Sequence, residues 1–150
     1  MDDRPATIAA TAERLREDFA FLEEHRDKVE HIIDLGKRLA PMPDALKTED
    51  SKVRGCQSQV WLVADPEPAT GRLHLIADSD AILVRGLIAL VLELYDRRTP
   101  REILDNPPTV LEEIGLQRFL TPGRANGLYA MVGRIRGLAE AYAAAGGARS

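Results

Sequence analysis

A run of apolar residues, AILVRGLIALVL from Ala81 to Leu92, fixes the centre of the predicted fold. It is too short to span a bilayer, and Arg85 interrupts it. Apolar residues occupy nearly every side of the helix that it would form, which is typical of a helix covered by other elements. The segment DSD at 78–80 places cap-type side chains directly before it. We therefore predict a central helix from Ala81 to about Tyr95, with Arg85 bound to a carboxylate or carbonyl group if it is buried.

Two amphipathic helices are predicted before this run. Apolar residues recur at spacings of three and four over residues 7–22 and again from residue 29 to about Ala40. Pro41 cannot continue the second helix because it lacks an amide donor. Residues 41–51, PMPDALKTEDS, carry two prolines and several polar residues, and they are predicted to form an extended surface connection.

Further helices are predicted after the apolar run. Thr-x-x-Glu capping boxes at 99–102 and 109–112 indicate the starts of two short helices. The last helix is predicted to begin at TPGR, with Thr121 as its cap and Pro122 at its first position. It carries an apolar face and is expected to end at the glycines 146–147.

The segment between the two groups of helices predicts a β-hairpin. QSQVWLVA is rich in β-branched and aromatic residues, DPEPATG supplies a turn, and RLHLIAD alternates polar with apolar residues. Lys52–Arg54 can pair as a short third strand. We therefore predict one α+β domain over residues 1–150, in which a small antiparallel sheet is covered by helices and the ends of the chain fray.

Composition excludes several classes of protein. Hydrophobic residues make up 45% of the 150 residues and charged residues 29%, which are ordinary values for a globular protein. A net charge of −4 disfavours binding to nucleic acid, which usually requires a basic excess. The N-terminus, MDDRPATIAATAERLRED, has no apolar core of a secretory signal, and its acidic residues disfavour a transit peptide. We expect a cytoplasmic protein that binds neither nucleic acid nor a membrane.

The chain has one cysteine, Cys56, in the segment KVRGCQSQVWL. A single thiol cannot form an internal disulfide, a multi-thiolate metal site or a two-cysteine redox centre. A Cys-His hydrolase would need His25, His31 or His74 as its base. The first two are expected to be solvated on the second helix, and His74 is expected to be a cross-strand polar residue.

Neighbouring residues leave two interpretations of Cys56 open. Lys52 and Arg54 can favour the thiolate electrostatically, and Gly55 permits a turn with positive φ. Val60–Leu62 can shelter the sulfur. Alternatively, Cys56 is a small buried residue with no chemical role, because free cysteines are among the most buried residue types.

The segment GCQSQVWL, together with ADSDAILVRGLIALVLELYD, TP and LTPGRANGLYAM, resembles the SufE family of cysteine desulfuration proteins. The resemblance begins at the second helix and is strongest over about residues 29–140. It implies an α+β fold of the SufE/IscU type. It also implies that Cys56 accepts sulfur as a persulfide from a SufS-type cysteine desulfurase, which this protein stimulates, and passes it to a scaffold such as SufBCD for iron–sulfur cluster assembly.

The resemblance also assigns supporting positions. Gln57 and Ser58 can hydrogen-bond the sulfur, or they only shape the turn. Asp80 can adjust the cysteine loop or contact the partner, or it caps the following helix. Arg124 can contact the persulfide or the desulfurase, or it is a solvated arginine; Arg54 and Gly55 complete the expected site. No cofactor is expected on this chain, since pyridoxal phosphate belongs to the desulfurase.

Other functions stay open at this stage. A CsdE-like paralogue would use the same chemistry to deliver sulfur from another desulfurase to another pathway. A regulatory binding module would keep Cys56 as a structural residue, and its thiol would not react with alkylating reagents. A one-cysteine peroxidase would consume peroxide with an external thiol, although no peroxidase-like motif is present. On the first two hypotheses the protein is the partner of an enzyme rather than a stand-alone enzyme.

Overall fold

The structure, a computed structural model, describes residues 7–56 and 58–147. Helices and a two-stranded β-hairpin make up the described residues, in the α+β arrangement that the sequence predicts. Within the described residues the elements are, in chain order, α1 (Ile8–Ala20), α2 (His25–Lys37), β1 (Val60–Pro66), β2 (Leu73–Ser79), α3 (Ile82–Tyr95), α4 (Pro100–Asp105), α5 (Thr109–Glu113), α6 (Leu116–Phe119) and α7 (Pro122–Gly147), with a 3₁₀ turn at Asp44–Leu46.

Strands β1 and β2 form the predicted antiparallel hairpin, in which Val60 pairs with Ser79. The expected third strand is reduced to one isolated antiparallel bridge between Lys52 and Trp61. The amide of Val53 donates to the carbonyl of Val60 at 2.8 Å, and Arg54 already lies in the turn that follows. This short pairing brings the segment before Cys56 alongside the start of β1.

Helix α3 is the centre of the structure, as the apolar run predicts. It contacts α1, α2, α7 and β2. The closest of these contacts is with α2, where Gly36 and Gly86 face each other so tightly that a side chain on either would meet the opposite backbone. Only glycine allows two helices to approach this closely. The buried residues of α3 are Gly86, Leu87, Ile88, Leu90, Val91, Leu94 and Tyr95.

Arg85, the charge inside the apolar run, binds the buried carboxylate of Asp78 and donates to the carbonyl of Leu39 at 3.0 Å. The other carboxylate oxygen accepts the amide of Met42 at 3.1 Å and lies 3.7 Å from the Lys47 ammonium. Burial alone would raise the pKa of Asp78, but the hydrogen bond from Met42 and the charges of Arg85 and Lys47 outweigh it, and the pKa is lowered. This network joins the end of the hairpin to the segment after α2.

Two predicted helix starts differ in outcome. Thr99 and Glu102 form the expected capping box at the start of α4. The box predicted at 109–112 is wrong, because Thr109 is already inside α5 and Pro108 occupies the cap position without a side-chain hydrogen bond. The helix thus begins one residue earlier than the predicted box requires, so the Thr109 side chain is not in the cap position. Helix α6, which starts after Gly115 in a left-handed conformation, was not predicted.

Candidate functional site

Cys56 lies in a short loop between Val53 and the start of β1, and the two ends of this loop are held together by a hydrogen bond. The hydrogen bond between Val53 and Val60 joins the strands at its base. Gly55 has φ of 88°, a left-handed conformation that favours glycine, so the chain turns sharply just before the cysteine. Gln57 lies outside the described residues.

Asp80 fastens the far end of the cysteine loop. Its Oδ1 accepts the amide of Gln59 at 3.1 Å, and its own amide donates to the carbonyl of Gln59 at 3.4 Å. Asp80 does not cap α3, since Ala81 is the cap residue and has no side-chain capping bond. The expectation that the DSD segment caps this helix is therefore wrong, and Asp80 is instead a contact of the loop.

The thiol of Cys56 is half-buried and faces helix α7. Its Sγ lies 3.7 Å from the carbonyl oxygen of Gly127, to which the thiol donates a weak hydrogen bond. A Cβ atom at Gly127 would stand 3.5 Å from Sγ, so this glycine brings the backbone of α7 directly against the cysteine. The thiol is thus held by the backbone of a helix 71 residues further along the chain.

A pocket of about 100 Å³ opens beside the sulfur between the cysteine loop, α3 and α7. Most of its wall is apolar, while Ser58 and Arg124 contribute polar groups. The lining residues are Cys56, Ser58, Val60, Val84, Leu87, Gly123, Arg124, Gly127, Leu128 and Met131. Since one water molecule takes about 30 Å³ of liquid volume, the pocket has room for an additional atom on the sulfur.

Burial raises the pKa of the Cys56 thiol. This contradicts the expectation that Lys52 and Arg54 favour the thiolate. The ammonium of Lys52 lies 3.1 Å from a carboxylate oxygen of Glu49, and the side chain of Arg54 is exposed to solvent, which screens its charge. At rest the sulfur is therefore a neutral thiol that donates to a carbonyl group.

We expect alkylation of Cys56 by iodoacetamide to reach half its maximal rate at a pH above the ordinary value of about 8.5 for a free thiol, because only the thiolate reacts. Rates measured between pH 6 and 11 would test this. The same protein unfolded in urea is the control, since its single cysteine is then fully solvated. A folded-state midpoint equal to or below that control would contradict the prediction.

The structure brings part of the predicted site together. Ser58 and Arg124 line the pocket with Cys56. Arg124 is at the same time exposed to solvent, as the alternative of a solvated arginine expects, and its amide donates to the Thr121 hydroxyl at 3.3 Å. Arg54 is close in sequence but exposed, and it does not line the pocket.

Of the residues expected to shelter the sulfur, only Val60 lines the pocket. Trp61 points to the other side of the strand, where the Lys47 ammonium lies 5.3 Å from its ring, and Leu62 is buried in the core. Successive side chains of a strand alternate between its faces, which explains the position of Trp61, whereas Leu62 shares the face of Val60 but lies deeper in the core. Gly127 was not predicted as a site residue, although it is a glycine inside a helical pattern and lies in the segment LTPGRANGLYAM that carries part of the family resemblance.

The histidines do not provide a base for the cysteine. His74 pairs with Asp65 at the opposite end of the hairpin, and its Nδ1 lies 3.0 Å from Asp96 Oδ1. His31 is not solvated as expected, because it is half-buried against the ring of Phe19 and its Nε2 has no hydrogen-bond partner. A Cys-His hydrolase is therefore not supported by this site.

Two other features, a metal-ligand cluster and a membrane-spanning helix, are not found in the part of the chain that the structure describes. There, no three or more histidine, cysteine, aspartate or glutamate side chains are grouped so that they could hold a metal ion. Nor is any helix in that part both long enough and apolar enough to cross a membrane. The pocket beside Cys56 is the candidate functional site because it joins the single thiol to Ser58 and Arg124, two of the predicted site residues.

Comparison with known families gives a match over most of the chain. The family described as "SufE: Fe-S metabolism associated domain" matches residues 13–139. An uncharacterized SufE-like protein of Rhizobium meliloti is 40% identical over 131 residues, which cover 85% of this chain and 94% of that protein. An uncharacterized SufE-like protein of Rhizobium etli is 39% identical over 139 residues, which cover 91% and 94%.

A solved structure supports the fold. The solution structure of a hypothetical protein from Thermus thermophilus superimposes with a TM-score of 0.73 and covers 89% of this chain and 96% of its own. The two chains are 24% identical, so this likeness concerns the fold alone.

Proposed function

The chain belongs to the SufE family, and we propose that it accepts sulfur from a cysteine desulfurase as a persulfide on Cys56 and delivers that sulfur to iron–sulfur cluster assembly. The single observation that carries the proposal is the half-buried thiol of Cys56 beside an apolar pocket with room for an additional atom. A carrier needs such a site, because a persulfide left in solvent is open to other thiols.

One thiol is sufficient for this transfer. The thiolate of Cys56 attacks the terminal sulfur of the desulfurase persulfide, a new S–S bond forms on Cys56, and the S–S bond of the desulfurase breaks. The desulfurase cysteine leaves as a thiolate, so there is no net oxidation and no second cysteine is required. Delivery repeats the exchange, with the acceptor's thiolate attacking the sulfur held on Cys56.

The resting site favours storage over attack. Burial keeps Cys56 as a neutral thiol against the carbonyl of Gly127, and a neutral thiol is a poor nucleophile. To react, the cysteine has to leave the pocket and ionise. The loop can pivot at Gly55, which lies in a turn with positive φ. It can be released at its other end when the hydrogen bonds between Asp80 and Gln59 break.

The remaining site residues have roles in holding the sulfur or the partner. Arg124 lines the pocket and supplies a positive charge that favours a persulfide anion, while the Ser58 hydroxyl can donate to the same sulfur. Arg54 is exposed beside the cysteine, where it can contact the partner. Gln57 is proposed to assist at the sulfur by family resemblance.

The proposed partners are a SufS-type desulfurase, which carries pyridoxal phosphate, and a SufBCD-type scaffold. The protein itself is proposed to work without a cofactor, in the cytoplasm.

The direct test is to incubate the protein with a SufS-type desulfurase and cysteine and then to measure its intact mass. We expect one additional sulfur atom, removable by a reductant and located on the peptide that contains Cys56. Omission of the desulfurase is the control and should leave the mass unchanged. A protein that keeps its original mass under turnover conditions would contradict the proposal.

A further inference from the structure

We infer that Gly127 is a positioning residue whose missing side chain leaves, beside Cys56 Sγ, the space that the transferred sulfur atom occupies. The inference rests on the proposed function and deepens it by identifying where the second sulfur of the persulfide is held. It comes from the contacts of a glycine inside a long helix, where glycine is otherwise unfavourable relative to alanine.

The glycines of α7 differ in what surrounds them. A Cβ atom at Gly133 or Gly137 would meet no atom within 4 Å, because both positions are exposed. A Cβ atom at Gly127 would lie 3.5 Å from Sγ, 3.7 Å from Cβ and 3.8 Å from Cα of Cys56. These are ordinary contact distances, so an alanine at 127 fits against the reduced thiol but fills the volume next to it.

A second sulfur atom needs that volume. It would sit about 2 Å from Sγ along the new S–S bond, and a bond directed toward α7 would place it within the volume of an alanine methyl group. Gly127 therefore allows Cys56 to carry either a thiol or a persulfide in the same position. An alanine at 127 would exclude the second sulfur atom, because adding an atom to a close-packed site forces side chains and backbone to shift at a cost in free energy.

The walls of the space favour a stored persulfide. Val84 and Leu87 from α3 and Met131 from α7 are apolar and line the same pocket. An outer sulfur held against them would be less accessible to water and small thiols than one in solvent. Without that space the persulfide would have to swing out of the pocket, where an external thiol can attack it. The expected consequence of filling it is a short-lived persulfide on an otherwise intact protein.

The experiment compares wild type with Gly127→Ala and uses Gly133→Ala as the matched control on the same helix. Cys56 is loaded with sodium polysulfide, whose S–S bond breaks as the thiolate attacks, so loading does not depend on a desulfurase. Loss of the added sulfur to dithiothreitol is followed by intact mass. We expect this loss of sulfur to be about fivefold faster or more in Gly127→Ala. One excess methyl group in a filled site shifts the equilibrium between the sheltered and the exposed persulfide by that order.

The reduced proteins provide the second readout. We expect alkylation of the reduced thiol to agree within about twofold in all three proteins, because the alanine makes only ordinary contacts with the thiol. Val84→Ile adds a methyl group from the α3 wall and should shorten the persulfide lifetime as well, which keeps the test decisive if Gly127→Ala does not fold.

Three results would overturn the inference. The first is an equal persulfide lifetime in wild type and Gly127→Ala, and the second is an alkylation rate of reduced Gly127→Ala that rises by the same factor as its persulfide loss. The third is a wild-type protein that takes up no sulfur from polysulfide. A different result would contradict the proposed function without contradicting the role of Gly127. A protein that holds polysulfide sulfur as expected but receives none from the desulfurase would leave the role of Gly127 intact and remove the desulfurase as its source.

Discussion

Cys56→Ser is expected to lower the turnover of a partner desulfurase to the rate of the desulfurase alone. A serine hydroxyl cannot form or carry a persulfide, so the sulfur stays on the desulfurase and blocks its next cycle. The variant should remain folded, because the cysteine is only half-buried and serine can donate to the same carbonyl of Gly127. Sulfide or alanine release, measured with increasing amounts of each protein, gives the comparison.

The matched control for this prediction is Gly133→Ala, which changes an exposed position on the helix that faces the cysteine. It should stimulate the desulfurase as wild type does. Equal stimulation by wild type and Cys56→Ser would show that docking alone activates the desulfurase. That result would favour the regulatory binding module, in which Cys56 is structural.

The elements that could be predicted from the sequence are those set by residues close together in the chain. The apolar run predicted α3 almost to the residue, and Thr99 with Glu102 predicted the start of α4. The alternation in the hairpin indicated its two strands. Each of these signals depends on neighbours within about one or two helical turns, where side-chain periodicity and capping act.

The parts of the site that were not predicted depend on contacts distant in sequence. The sequence left two roles open for Asp80, a helix cap and a contact of the cysteine loop, and the choice between them depends on its hydrogen bond to Gln59, 21 residues away, which no local pattern reveals. The thiol of Cys56 meets Gly127 across 71 residues. Burial makes the resting thiol of Cys56 less reactive, and burial can be seen only in the folded structure. The charges of Lys52 and Arg54, by contrast, could be seen in the sequence, and they suggested a more reactive thiol.

Gly86→Ala is expected to destabilise the protein by about 3 kcal/mol or more, since overpacking of this severity costs at least that order. A Cβ atom at Gly86 would lie 2.1 Å from the carbonyl oxygen of Ile32 and 2.6 Å from its Cγ2, so α2 and α3 would have to separate. The gain of about 1 kcal/mol from the better helix propensity of alanine does not offset this. Urea unfolding followed by far-ultraviolet circular dichroism would measure the change.

Gly133→Ala serves as the control again, because the same substitution at an open helical position should raise the free energy of unfolding by up to about 1 kcal/mol. The opposite signs separate the effect of the helix crossing from the effect of the residue type. Helix α3 also supplies Val84 and Leu87 to the wall of the cysteine pocket, so any Gly86→Ala protein that still folds should alkylate faster at Cys56. An unchanged stability would mean that α2 and α3 can move apart at little cost, and that the close crossing does not fix the position of the pocket.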